Sequence, residues 1–360
     1  MLVTVKQVVR FAATPDGPVA YSVVGSGPPL LVALGWVSHL DLLWEWPAHR
    51  RFVEALAREH TVILYDKLGC GLSSRSRTEF TLESELEVLD ALVGHLGLKR
   101  FALFGTCDSG QIAAAFTAAN PDAVSSLVVY GSCARGADLA PDPVKHTVPS
   151  LVRAHWGLGS RVLADIWFPG APVETTEQFA RIQRGAATAE MAAALLELFY
   201  RIDVTGVLPE IRVPTLVLHR QGSRAVRFEL GRQMASLIPG AHLVALEGRM
   251  QPVYAEGADA ASAAVLGFLR DQTPRGQVRD GGRLTDREVQ VANLIAEGCT
   301  NTEISRILGV SVRTADAHVE HVRTKLGVRA RAQIAVWASR RVGSFQHPAI
   351  AGVAEAASRR

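Results

Sequence analysis

Phe101-Ala-Leu-Phe-Gly105-Thr-Cys107-Asp-Ser109-Gly110, running on into Gln-Ile-Ala-Ala-Ala-Phe116, is the stretch that decides how the chain is read. Phe101–Phe104 is a short, wholly apolar run, the mark of a strand buried on both faces. It reaches Gly105, and two residues later comes Cys107, a candidate nucleophile. Small residues follow, then an apolar pattern with helical spacing. The segment reads as a strand that turns tightly into a helix, with a thiol at the turn.

Working outward, the same alternation recurs. Val8–Ala13 and Val19–Val24 read as a hairpin turned at Pro15-Asp16-Gly17. Leu30–Leu34, Thr61–Tyr65, Val124–Tyr130, Pro214–His219 and His242–Leu246 are further strands, with helical stretches such as Leu82–Leu96 between them. Strands alternating with helices predict an α/β fold with a parallel sheet covered on both faces. The segment 134–211 breaks this rhythm and carries Trp156, Trp167, Phe168, Phe179, Phe199 and Tyr200. A length of 360 residues exceeds one average domain, so at least two are expected.

The elbow resembles the nucleophile turn of the α/β-hydrolase superfamily, written G-x-S-x-G. Gly105 fills the first slot, Cys107 the nucleophile slot, and Ser109 replaces the second glycine. Ser109 cannot itself be the nucleophile, because its flanks would be Cys107 and Gln111. Tyr65-Asp-Lys-Leu-Gly-Cys70-Gly-Leu-Ser73 and Arg212-Val-Pro-Thr-Leu-Val-Leu-His-Arg220 resemble hydrolase-like domains joined to bacterial signalling or DNA-binding modules. The resemblance covers about Val8 to Arg270. It implies an α/β-hydrolase fold over 1–271 with a helical cap at 134–211.

It also implies where a catalytic triad would stand, and those slots are altered. Ser223 occupies the acid slot and Gln251 the histidine slot. An alternative acid position, at Gly131-Ser-Cys133-Ala, is empty too. A glutamine amide has no usable basicity and cannot accept the nucleophile's proton. His242 begins the last strand, at the opposite sheet edge, over ~10 Å away at ~3.3 Å per residue. His39 lies on the correct edge and is the stand-in base to be considered. Ordinary turnover is not expected.

The resemblance further assigns the amides of Trp36 and Asp108 as oxyanion-hole donors, and the helix start at Asp108 is expected to lower the Cys107 pKa. Trp36, Asp108, His39 and Cys133 form the expected ligand-binding set. On this reading a carbonyl- or lactone-type ligand, largely apolar to suit the cap aromatics, sits over Cys107 and can react with it once. Two alternatives stand beside it: Cys107 as a small buried residue in an inert pocket, and Cys70, Cys107 and Cys133 as a redox cluster at one sheet edge.

The charge balance separates the far end of the chain. From Pro274 onward there are 14 lysines and arginines against 8 aspartates and glutamates, a net +6, while the remainder is net −3. A basic end on an acidic body points to a polyanionic partner for that end alone. Residues 272–283, with a proline, three glycines and no periodicity, read as a flexible linker. Thr285 with Glu288 and Thr300 with Glu303 fit capping boxes, and Ser311 caps a third helix after the turn Leu308-Gly-Val. Ala315, Val319, Val322 and Leu326 form that helix's buried stripe, and a fourth helix follows over Ala330–Arg340.

Leu284-Thr-Asp-Arg-Glu-Val289, Asn301-Thr-Glu-Ile304, Val312-Arg-Thr-Ala-Asp-Ala-His-Val319 and Lys325-Leu-Gly-Val328 closely resemble the LuxR-type helix-turn-helix, over 284–341. The resemblance implies that the third helix enters the major groove of double-stranded DNA and that the fourth makes a homodimer contact. Asp316, Ala317, Glu320 and His321 would face the bases. Arg313, Thr314, His318 and Lys325 would meet phosphates, and Thr302 belongs to the same DNA-binding set. Two carboxylates on the reading face predict weak non-specific affinity and dependence on paired half-sites. Residues 342–360, rich in alanine and glycine, are expected to be disordered.

The leading reading is a transcription regulator with a small-molecule effector and no cofactor or metal. The alternatives are a slow cysteine-dependent ester or lactone hydrolase carrying a DNA-binding domain, and a body that serves only as a dimerisation scaffold. Four cysteines without metal spacing, no apolar run of ~18–20 residues and no signal-peptide layout predict a cytoplasmic protein without a membrane segment.

Overall fold

The computed structural model describes residues 7–77, 79–272, 284, 286–326, 328 and 331–342, with backbone alone for 286, 313, 324, 325, 332, 336 and 339–342. The expected linker beyond 272, the tail beyond 342, Thr285 and the first six residues lie outside the described residues. The chain divides into two compact units, 1–273 and 274–360.

In the first unit the strands are β1 (Val9–Thr14), β2 (Gly17–Val24), β3 (Pro29–Ala33), β4 (Thr61–Tyr65), β5 (Phe101–Thr106), β6 (Val124–Tyr130), β7 (Thr215–Arg220) and β8 (His242–Leu246). They form one sheet in the order β1-β2-β4-β3-β5-β6-β7-β8. β2 runs antiparallel to both its neighbours, and every pairing from β4 to β8 is parallel. β5 is central and buried along its whole length, as its unbroken apolar run requires.

Successive residues point to opposite faces, and each face has its own core. Leu31, Leu103, Leu127 and Val217 join one cluster, with residues of α3 (Leu82–His95) and α4 (Asp108–Ala119). Leu30, Phe104, Val128 and Leu216 join the other, with residues of α2 (Pro47–Ala57) and α10 (Ala258–Gln272). α1 (Leu40–Glu45) and α9 (Phe228–Leu237) complete the layers.

Between β6 and β7 come α5 (Asp142–Ala154), α6 (Trp156–Trp167), α7 (Val173–Ala186) and α8 (Ala189–Arg201), the helices of the expected cap. Several bonds seat this cap on the loops at the carboxyl edge of the sheet, among them the following three. Trp36 Nε1 donates to Ala192 O at 3.1 Å, Gly71 N to Ala186 O at 2.7 Å, and Gln251 N to Trp167 O at 2.8 Å. Beneath it, the buried Asp66 carboxylate accepts from Ser38 Oγ at 2.7 Å, Leu40 N at 3.1 Å and Leu72 N at 3.0 Å. One side chain thus ties the loop after β3 to the loop after β4, and its hydrogen bonds offset the cost of burial.

The second unit contains α11 (Asp286–Ala296), α12 (Asn301–Leu308), α13 (Val312–Leu326) and α14 (Arg331–Val342). Thr300 Oγ1 accepts from Glu303 N, and Glu303 Oε2 accepts from Thr300 N at 2.7 Å, the reciprocal box expected from the sequence. Gly309 ends α12 in the left-handed conformation, φ 65°, and Ser311 Oγ accepts from Thr314 N at 3.1 Å to begin α13. Ala315, Val322 and Leu326 are buried with Val291, Ile304 and Ile334, while Val319 is half-buried against them. Among the described residues no helix is long and apolar enough to cross a membrane.

Gly105 lies where α4 crosses β5. A Cβ there would run into the Ser109 carbonyl and sit 2.7 Å from Ala113 Cβ. Gly105→Ala is expected to lower the stability of the first unit by about 1–3 kcal/mol, the usual cost of overpacking. Denaturant unfolding followed by tryptophan fluorescence measures it.

Candidate functional site

Cys107 stands between β5 and α4 at φ 56° and ψ −127°, a conformation that costs a non-glycine residue about 1–3 kcal/mol. Neighbouring bonds hold it there. Ser109 Oγ donates to Leu34 O at 3.0 Å, and Gly35 N donates to Thr106 Oγ1 at 2.8 Å, fastening the elbow to the loop after β3. Gly35 abuts Cys107 closely enough to leave no room for a side chain. Trp36, also at positive φ (48°), follows directly.

Ser223, after β7, and Gln251, after β8, meet in space. Ser223 Oγ donates to Gln251 Oε1 at 2.6 Å and accepts from Val226 N at 3.3 Å. Gln251 Nε2 donates to Gly131 O at 2.8 Å. Ser223 and Gln251 are therefore linked to each other, and both ends of the Gln251 amide are engaged. Gln251 and Cys107 line a small recess of about 40 Å³, room for about one water. The thiol has no base there.

Two expectations for Cys107 are overturned. The Trp36 amide is not available to a ligand, because it donates to Asp108 Oδ1. Asp108 Oδ2 in turn pairs with the Lys67 ammonium, and both side chains are buried. The chain's own carboxylate thus takes the donor that the sequence assigned to an oxyanion. Nor is the thiol pKa lowered. Burial pushes it well above its ordinary value and the Asp108 charge adds to this, while the Asp108 amide opposes only in part. The charge is continued behind the pair. Burial pulls the Lys67 pKa down, but Asp108 and Glu85 together hold it above the usual lysine value. Arg77 bridges Glu85, at 3.2 Å, and Asp16.

Two further expectations are corrected. His39 lines neither the recess nor the larger cavity, and its charge acts on Asp66 instead. It is not a stand-in base for Cys107. The three cysteines do not share one cavity. Cys133 packs with Cys107, Phe199, Val226 and Leu230, and receives Gln111 Nε2 at 3.8 Å. Cys70 lies in the main core under Trp36, its sulfur 3.9 Å from Trp36 O and its pKa pushed up to about 12 by burial.

Over Cys107 and Trp36 the cap encloses a cavity of about 490 Å³. Leu139, Val148, Leu163, Ile166, Trp167, Leu196, Phe199 and Val226 supply its apolar walls, with the exposed Asp165 and Arg224 also on its lining. Tyr200 lines it as well. Its pKa is pushed up to about 12, first by burial and then by Cys107. Such a volume and lining suit a small apolar molecule. Sequence reasoning gave no role to Lys67 or Tyr200. Lys67 stands 41 residues from Asp108, and a lone lysine after an apolar strand carries no sign of such a pairing.

In the second unit Asp316, Ala317, Glu320 and His321 are exposed on one side of α13, opposite its buried stripe. Thr302 and Thr314 are exposed and His318 is half-buried, while Arg313 and Lys325 lie on the helix with side chains outside the described residues. Asp316 is not a free carboxylate. Asn301 Nδ2 donates to its Oδ1 at 2.7 Å, and Asn301 Oδ1 accepts from Arg331 Nη1 at 2.6 Å. Glu320 Oε1 accepts from Arg323 Nη2 at 2.8 Å.

The thiolate is the nucleophile, so a raised pKa means less reactive sulfur at any given pH. With native protein at pH 8, iodoacetamide is expected to modify the half-buried Cys299 and to leave Cys70, Cys107 and Cys133 intact. Peptide mass mapping checks this, and rapid alkylation of Cys107 would contradict it.

Residues 28–156 match the family described as alpha/beta hydrolase fold, and residues 283–338 match the bacterial regulatory proteins of the luxR family. The chain is 30% identical over 244 residues to the polyketide synthase ThaQ of Burkholderia thailandensis, covering 63% of this chain and 11% of that protein. It is 44% identical over 57 residues to the transcriptional regulatory protein LiaR of Bacillus subtilis, covering 16% of this chain and 27% of LiaR. The chain thus spans less than a third of either relative. The crystal structure of an enol-lactonase from Burkholderia xenovorans superposes with a TM-score of 0.63 at 23% identity, over 72% of this chain and all of that one (100%), which shows the fold. The chain is an α/β-hydrolase-fold domain followed by a LuxR-type helix-turn-helix domain.

Proposed function

We propose that this protein is a DNA-binding transcription regulator whose hydrolase-fold domain is a receptor for a small apolar molecule, held in the cavity over Cys107. The observation that carries this reading is the pairing of a roomy, apolar cavity with a Ser223–Gln251 bond where a triad would need an acid and a base. Binding volume is kept while proton-transfer chemistry is absent from the triad positions. The same bond, with the raised thiol pKa, favours a receptor over a slow thiol hydrolase. The carbonyl-anchored, covalent form of the idea loses its support, because the Trp36 amide is engaged by Asp108. Ligand and DNA affinity are coupled if the ligand prefers one of two arrangements, and a coupling of 1–3 kcal/mol corresponds to about 5–150-fold. The helix-turn-helix acts as a homodimer through α14 on paired half-sites of double-stranded DNA.

Trp36 and Trp167 line the cavity, so intrinsic fluorescence reports its occupancy. Titration of the full-length protein with a panel of uncharged apolar molecules is expected to give saturable quenching by some of them. DNA affinity measured in the same samples is expected to change at least about fivefold. Val148→Trp, which fills the cavity from a half-buried wall position, is expected to abolish the fluorescence response and leave DNA affinity without ligand within about twofold. A scaffold would show no quenching, and an enzyme would release product from activated esters beyond one equivalent.

On the DNA side, the Asn301 and Arg331 bonds hold the Asp316 carboxylate on the exposed face of α13. There it accepts from a cytosine N4 amine, a contact worth about 1–3 kcal/mol of discrimination. Selection from randomised duplexes is expected to show a C·G preference at one position per half-site. Asp316→Ala is expected to erase it, and Asn301→Ala to weaken it. An unchanged site logo for Asp316→Ala would refute the assignment.

A further inference from the structure

The cavity under the cap has a floor and a mouth. Of its lining residues, Trp36, Cys107, Leu163, Leu196, Phe199 and Val226 are buried, while Val144, Asp165 and Arg224 are exposed. The opening therefore lies among α5, α6 and the loop after β7. Val144 is an apolar lip there, with 42% of its surface open to solvent. The other two exposed members carry opposite charges, and they are the one carboxylate and the one basic side chain among the described lining residues. Arginines nearby are taken up: Arg153 by Glu190 and Glu197, Arg135 by Asp138, and Arg227 by Asp138 O. Among the described residues, Asp165 and Arg224 have no such partner and do not pair with each other.

We propose that Asp165 and Arg224 set the ligand class of this cavity: its ligand is an uncharged amphiphile, with an alkyl body in the chamber and an amide-class polar end at the mouth. The proposal rests on the reading of the cavity as a ligand site and specifies the polar end of that ligand. An amide oxygen accepts from a guanidinium and an amide N–H donates to a carboxylate, so one neutral group serves both residues in charge-assisted bonds. A carboxylate at the same place gains Arg224 and meets repulsion from Asp165. An ammonium gains Asp165 and meets repulsion from Arg224. For either ion the two contributions oppose each other, and the ion still gives up part of its hydration. Both rim charges are exposed, so each acts weakly and is screened by salt. The selection lies in the pairing of signs, not in the strength of one contact.

Octanamide, octanoate and octylamine share a chain length and differ at the polar end, and at pH 8 the last two carry opposite charges. Each is titrated at low salt into the full-length protein, with tryptophan fluorescence as readout. The wild type is expected to bind octanamide at least about threefold more tightly than either ion, the scale of an exposed charge contact. Asp165→Asn is expected to shift the octanoate-to-octylamine affinity ratio about threefold toward octanoate, and Arg224→Gln about threefold toward octylamine. Both shifts are expected to fade in about 1 M salt, where the Debye length is about 3 Å. Both side chains are exposed, and circular dichroism confirms that each variant keeps the fold. A wild type that binds either ion as tightly as the amide overturns the proposal and leaves the cavity a ligand site. Ratios that stay put, or that move the same way in both variants, likewise overturn it. Failure of the wild type to bind any of the three overturns both the proposal and the receptor reading for alkyl ligands of this size.

Discussion

The contact on which the site depends is the buried pair between Asp108 and Lys67, closed by the Trp36 amide. Removing two charges from water costs several kcal/mol per ion, and their attraction repays this only when geometry and further hydrogen bonds are good. Here each partner is secured from more than one side. Asp108 is fixed by the start of α4 and by the Trp36 amide, while Lys67 has Glu85 beside it, and Arg77 and Asp16 continue the charges toward the surface. Such a pair adds little net stability compared with apolar packing, so its presence constrains conformation more than it strengthens the fold. It locks the loop after β3, the loop after β4 and the elbow into one arrangement.

From that arrangement the chemistry of the chamber follows. The elbow retains its strained backbone, its glycine clearances and its place at the carboxyl edge of the sheet, so the cavity persists. Ser223 and Gly131 engage both ends of the Gln251 amide, and the Asp108 side chain engages the Trp36 amide. Cys107 packs among apolar neighbours, where burial raises its thiol pKa.

The second unit shows the same economy on a smaller scale. Its helices are begun by Thr300 and Ser311 and stopped by Gly309, all local devices. Its exposed face carries Asp316 and Glu320. Asp316 is aimed by Asn301 from α12 and, through it, by Arg331 from α14.

Most of the architecture was legible in the residues because it rests on short-range rules. Short apolar runs gave the strands, helical periodicity gave the helices, the Gly105-x-Cys107 turn gave the elbow, and hydroxyl–carboxylate spacing gave the Thr300 cap. What the sequence did not determine is how those side chains are used. Asp108 meets Trp36 across 72 residues and Lys67 across 41, and Ser223 meets Gln251 across 28. A carboxylate at a helix start can cap its own helix, face a ligand or fold inward, and its residue type is the same in each case. Only the packed environment, by excluding water and placing a lysine within reach, joined Asp108 to Lys67 and to the Trp36 amide. That same burial raised the Cys107 pKa where the helix terminus alone predicted a fall, because desolvation outweighs one favourable amide.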